Sequence, residues 1–447
     1  MDDHLDIFGQ QPFFTINIQA CFCFPVLEVS SRPIIINTLN SGLERICAAF
    51  PWLACGIINE GSGDGNSGFF KFKSLGNAPR LVVKDHCHDL SELTMEALRR
   101  AKFPMRMLDE VAIAPRKIFP DKEAGPTPVF LIQANFIDGG LLLTFLAQHN
   151  TMDMTGLGQF ILLFSKACHQ EEFTNDELSS GNLPRRDIVP LLDSSYTPSS
   201  DLGQYLVKPM PSSSIEVPPT APKCSWAYFQ FSPGSLANLK SLAAESLTSS
   251  SFVSMDDALT AFIWKSIARA RLPRLHPSSE STIMRAVNMR QPLGIPETYP
   301  GPIQSNVKST CSFFELVKQP LGIVALQLRS ALELEKSDSG YRTRAIATIL
   351  GRMPDKSGFS FGAMIDQSTD VIFSSWMKVD CHHLDFNLGL GNPEAVRKPN
   401  CNEVEGLTFA LPKTAKGELA VAFCLRDEDT QRLKVDPEFV KHAEYIG

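Results

Sequence analysis

Residues 129–153 read VFLIQANFIDGGLLLTFLAQHNTMD, and this stretch decides the fold. Two apolar runs, 129–137 and 141–148, flank Asp138-Gly139-Gly140, a turn sequence that predicts a β-hairpin. The second run ends at His149, and after a short polar loop the segment 155–169 carries apolar residues at helical spacing. His149-Asn150-Thr151-Met152-Asp153 therefore lies at a strand-to-helix turn, where a side chain can be held rigidly at the edge of a core.

Outward from that turn, the composition changes once. Residues 183–222, LPRRDIVPLLDSSYTPSSDLGQYLVKPMPSSSIEVPPTAP, are rich in Pro and Ser, and the apolar pattern fades. The prolines remove backbone donors, so the segment predicts a crossover linker rather than another core. It separates an N-terminal half, 1–182, from a C-terminal half, 223–447. Each half mixes β-rich runs with amphipathic helices, which predicts an α/β fold with mixed sheets. In the second half, 254–271 predicts a helix: Ser254 or Asp256 can cap it, and Ala258, Leu259, Phe262, Ile263 and Ile267 form its apolar stripe. Lys265, Arg269 and Arg271 suit its C-terminal dipole.

The 447 residues are 43% hydrophobic and 20% charged, the balance of a globular chain with more than one domain. A net charge of −7 argues against nucleic acid as a bulk partner, though a local basic cluster could still hold a small anion. The eleven cysteines are scattered, odd in number and without CxxC, so reduced, buried thiols are expected. Cys21-Phe22-Cys23 reads as a strand. The acidic start and the shortness of the strongest apolar run, 141–147, predict neither a signal peptide nor a membrane span. A cytoplasmic monomer is the expectation.

His149 is the first candidate for chemistry. An imidazole that titrates near neutrality can take a proton from an alcohol as the oxygen attacks a thioester carbonyl. Asp153, four residues on, could orient the ring or anchor the loop. By itself H-x-x-x-D is a weak signal, more simply read as a core histidine followed by a helix-capping aspartate.

Near the other end stands Val379-Asp380-Cys381-His382-His383-Leu384-Asp385-Phe386-Asn387-Leu388-Gly389-Leu390-Gly391. With HNTMD, it resembles the paired H-x-x-x-D and D-F-G-W-G motifs of the BAHD acyltransferases, nearest the fungal trichothecene 3-O-acetyltransferase branch. The likeness runs nearly end to end, through Ala49-Phe50-Pro51-Trp52, Ala114-Pro115-Arg116-Lys117, Phe262-Ile263-Trp264-Lys265-Ser266, Tyr299-Pro300-Gly301 and Ser374-Ser375-Trp376. It implies two chloramphenicol-acetyltransferase-like halves joined by a crossover, with acyl-CoA and an alcohol meeting at His149, the general base. It further implies that Asp153 pairs with Arg290 of Val287-Asn288-Met289-Arg290, although Asn288 stands where the family has Asp. Asp385, Phe386, Gly389 and Gly391 match the second motif, a structural one. Asn387 replaces its first Gly and tolerates positive φ best among the other residues. Acetyl-CoA is the implied donor, a small hydroxylated metabolite such as a trichothecene-like sesquiterpenoid the acceptor, and no metal is expected.

Ser374 or Ser375 is the candidate oxyanion donor. Lys265, Arg269 and Ser254 are candidates for the CoA phosphates, since positions 265 and 269 share a helix face. Rival readings are an N-acyltransferase, a non-catalytic relative, and a serine esterase built on Gly358-Phe359-Ser360-Phe361-Gly362. The esterase lacks a buried strand before Ser360, and Phe359, Phe361 and Ala363 read more simply as one strand face. Asp85-His86-Cys87-His88-Asp89 and His382-His383 look metal-like, but further ligands at motif spacing are not evident.

Overall fold

The hairpin forms as predicted: strands Phe130–Ile137 and Gly140–Gln148 pair antiparallel, with Ile137 opposite Gly140 and Gly139 at φ +69°. The computed structural model describes residues 4–76, 81–121, 125–198, 200–207, 222–248, 251–337 and 340–447. Strand Asn17–Pro25 lies along the other edge of Gly140–Gln148, Asn17 opposite Gln148. Val82–Asp85 adds in parallel beside Phe130–Ile137, and Ala395–Arg397 closes the far edge of this five-stranded sheet. Alternation along the strands turns Phe22, Phe24, Leu143 and Phe145 to one face, where helices Arg32–Ala49 and Met154–Cys168 bury them. Cys21 and Cys23 point the other way, and all eleven cysteines are free.

The second large sheet has seven strands, in the order Gln304–Ser312, Glu280–Asn288, Val371–Ser375, Leu407–Ala410, Leu419–Arg426, Cys224–Phe231 and Ala443–Tyr445. Val371–Ser375 runs parallel to both neighbours, while the other ladders are antiparallel. Helix Met255–Arg271 covers its back with Leu259, Ile263, Trp264 and Ile267. Of the two candidate caps, Ser254 is the one used, in a capping box with Asp257. The expected α/β architecture with mixed sheets is thus the observed one.

The division in sequence is not the division in space. Cys381, Leu384, Phe386, Leu388 and Val396 belong to the core of the N-terminal half. The segment after Trp376 therefore crosses back, and residues of 223–447 complete the first sheet. Within the linker, Leu202 and Tyr205 are buried beside Phe14, Met284 and Phe361, while 199 and 208–221 lie outside the described residues. Two apolar clusters hold the halves together. One joins Phe8, Phe14, Tyr205, Met284, Tyr299 and Phe361, and the other joins Met105 and Ile118 to Trp226, Tyr228 and Trp376. Among the described residues no helix is long and apolar enough to cross a membrane.

Candidate active site

His149 follows directly on strand Gly140–Gln148, and its amide donates to the Ile16 carbonyl at 2.7 Å, one rung beyond the ladder. Its ring stacks on Phe14, with centroids 4.8 Å apart and planes 27° from parallel. Nδ1 is enclosed and makes no hydrogen bond. Burial depresses the imidazole's pKa below its usual 6.5, against weaker opposing effects of nearby carbonyls and the Asp153 charge. The ring is thereby kept neutral at physiological pH, the state a base requires. Phe14 belongs to the cluster that both halves share, which places His149 at their seam.

Asp153 does not touch the imidazole. One oxygen caps helix Met154–Cys168 by accepting from the Gly156 amide at 2.8 Å and also accepts from Arg290 Nη2 at 2.8 Å. The other accepts from Arg290 Nη1 at 2.9 Å. Every Arg290 donor is used: Nε goes to the Tyr299 carbonyl, Nη2 also to Gly301, and Nη1 also to Asn288. The pair is buried, Arg290 completely, and each proton of the guanidinium is matched. Asn288 in place of an aspartate is accommodated because its carbonyl accepts from Arg290 and its amide donates to Glu297 at 2.9 Å. The close approach depends on Gly156, where a Cβ would sit 2.1 Å from the Pro300 carbonyl oxygen. Asp6 extends the network, accepting from the Tyr299 hydroxyl at 2.9 Å.

The far end of the same helix is held by the second motif. Asn387 donates to the Cys168 carbonyl at 3.2 Å, and Asp385 bonds the His169 ring at 2.6 Å. Asn387 sits at φ +55°, the conformation that favours Gly or Asn, and Gly389 and Gly391 also have positive φ. Phe386, itself at φ +51°, drives its ring edge-on between Phe22 and Phe24. The helix that follows His149 is thus clamped at both ends by residues more than 130 positions away.

Ser374 and Ser375 part company. Along Val371–Ser375, Ile372, Ser374 and Trp376 face the seam clusters, while Val371 and Phe373 face the core behind. Trp376 Nε1 donates to Ser374 Oγ at 3.1 Å, leaving the Ser374 hydroxyl proton free for another acceptor. Ser375 donates to Asp256 at 2.8 Å and is spent there.

The expected phosphate cluster is corrected by the packing. Lys265 Nζ is buried and donates to the carbonyls of Leu316, Val317 and Gln319, closing the C-terminus of helix Phe313–Lys318. Burial and the neighbouring Arg269 bring its pKa down to about 8. Arg269 pairs with Asp436 at 2.7 Å, and Ser254 bonds Asp257. Each buried carbonyl left without its donor costs roughly 1–3 kcal/mol. Lys265→Met is therefore expected to lower the thermal midpoint and leave the KM for acetyl-CoA unchanged, which calorimetry and initial rates check together.

The rival constellations disperse. Ser360 accepts from the Gly362 amide in a turn rather than on the predicted strand face, and Phe359 and Phe361 are buried. Arg32 takes Asp85 and Cys87, and His86 bonds Asn135. What sequence reasoning missed is Phe14, one of 30 phenylalanines with no local signal, and the Tyr299 and Gly301 carbonyls that finish Arg290.

Comparison with known proteins identifies the family of the chain. Residues 16–168 match the trichothecene 3-O-acetyltransferase-like N-terminal domain, and 97–440 match the Transferase family. An O-acetyltransferase of Cryptosporiopsis sp. is 51% identical, covering 100% of this chain and 98% of its own length. The trichothecene 3-O-acetyltransferase of Fusarium sporotrichioides is 45% identical over 100% and 97%. The F. graminearum enzyme complexed with coenzyme A and deoxynivalenol superposes over the whole of both chains, with TM-score 0.94 and 42% identity. Vinorine synthase, at 14% identity and TM-score 0.67 over 99% and 93%, shares the fold. The chain belongs to the Transferase family of acyltransferases, among the members with a trichothecene 3-O-acetyltransferase-like N-terminal domain.

Proposed function

We propose that this protein transfers an acetyl group from acetyl-CoA to a hydroxyl of a small, largely apolar fungal metabolite of trichothecene-like bulk, with His149 as the general base. The observation that carries the reading is an imidazole buried at the seam of the two halves, one nitrogen enclosed and the ring fixed by stacking, with burial favouring its neutral form. With Nδ1 closed off, Nε2 takes the acceptor's hydroxyl proton as its oxygen bonds to the acetyl carbonyl carbon. The resulting oxyanion is met by a hydroxyl donor, for which Ser374 is the candidate, since its oxygen accepts from Trp376 and its proton is left to donate. Collapse breaks the carbon–sulfur bond, and the imidazolium returns its proton to the departing thiolate, giving ester and free CoA. The free cysteines fit a reducing, cytoplasmic compartment and a monomer that needs no disulfide.

Incubating the protein with acetyl-CoA and a panel of hydroxylated sesquiterpenoids and alkaloids, and following thiol release and product mass, tests the reading. An acetate ester of one acceptor supports it. Acetylation only of amines would turn it into an N-acyltransferase, and failure to bind acetyl-CoA at all would favour a non-catalytic role.

The pH profile follows from the depressed His149 pKa. The active form is the unprotonated one, so kcat/KM is expected to rise with pH, through an inflection below 6.5, and to be flat at neutrality. An inflection above 6.5 on the acid limb would contradict a base kept neutral by burial.

A further inference from the structure

The segment that carries the second motif presents Asp380, His382 and His383 on its outer side, with donor atoms all within 4.8 Å of one another. We propose that these three side chains form a zinc site. His383 Nδ1 lies 3.2 Å and His382 Nδ1 3.4 Å from the same Asp380 oxygen. With zinc–ligand bonds of about 2.0–2.1 Å, the edge of a tetrahedron is about 3.3 Å, so these two separations match, and the third, within 4.8 Å, closes by small rotations of two surface rings. Two imidazoles and one carboxylate suit zinc and disfavour magnesium or calcium, which require mainly oxygen ligands.

The ligands are held in place by their neighbours. Val379 packs against Gly158, where a Cβ would meet its Cγ1 at 2.8 Å, and Cys381 and Leu384 are buried in the N-terminal core. With 379, 381 and 384 anchored inward, 380, 382 and 383 are left on the outer side of the turn. The two imidazole planes stand 84° apart with centroids 5.8 Å apart, so both can address one ion without stacking on each other. Asp380 and His383 are half-exposed or more, which leaves the fourth position to water and the ion exchangeable. A bound zinc would tie together the chain between Trp376 and the loop that clamps helix Met154–Cys168. The other histidine cluster, at 85–89, has its Asp85, His86 and Cys87 engaged elsewhere.

The test uses the full chain, stripped with chelator and titrated with zinc by calorimetry, and crystals soaked in zinc and measured at its absorption edge. Wild type is expected to bind zinc with an anomalous peak between the three residues, and its thermal midpoint should rise by a few degrees with excess zinc. His382→Asn/His383→Asn should abolish the peak and that rise, whereas His86→Asn/His88→Asn should keep both. Because the replaced rings are on the surface, the zinc-free midpoint of each variant serves as the folding control. Zinc binding that persists in the His382/His383 variant, as thiol ligation would give, or a peak elsewhere would overturn the proposal.

Discussion

Replacing His149 with alanine is expected to reduce acetyl transfer by roughly 10²–10⁴-fold, with acetyl-CoA binding and the folded state retained. The change removes the nitrogen that accepts the hydroxyl proton, and no neighbouring base stands in for it. Asp153, the nearest carboxylate in sequence, has both oxygens committed to Arg290 and to the helix cap. His149 Nδ1 holds no partner in a well-formed hydrogen bond that its loss would orphan, and its ring lies on Phe14, so a modest cavity is the structural cost. The loss should therefore fall on kcat, with the thermal midpoint moving little. Turnover in the variant within a few-fold of wild type would remove His149 as the base and return the reading to its alternatives.

The largest effect on stability is expected at the Asp153–Arg290 pair. Arg290→Met leaves the Asp153 carboxylate buried without its counter-charge and strips the Tyr299 and Gly301 carbonyls of their donor. Breaking such a pair from one side costs about 3–5 kcal/mol, which should shift the denaturation midpoint strongly in urea. The double variant Asp153→Leu/Arg290→Met removes both charges, and it should be more stable than Arg290→Met alone if the uncompensated charge dominates. A double variant worse than the single would place the cost in the lost helix cap and carbonyl partners instead. Both variants should also lose activity, because the turn that carries His149 is anchored through this helix N-terminus.

The ends of local elements were legible in the sequence because their causes are local. Asp138-Gly139-Gly140 set the hairpin, the Asp153 and Ser254 side chains capped the two principal helices, and Asn387 occupied a left-handed position that few residues tolerate. The resemblance to a known family brought His149, Asp153 and Arg290 together across 137 positions, which periodicity alone does not do. Tertiary structure decided what each charged side chain does once buried. Lys265 and Arg269 share a helix face, as their spacing requires, yet that face meets the Phe313–Lys318 terminus and Asp436, so their charges are consumed inside. Ser374 and Ser375 are adjacent in sequence, yet strand alternation sends only the first toward the seam. Sequence fixes local geometry through backbone and side-chain preferences spanning a few residues, so it determined the hairpin, the caps and the position of His149 at a turn. Which face meets which partner depends on contacts between distant segments, and only the packed structure chose among them.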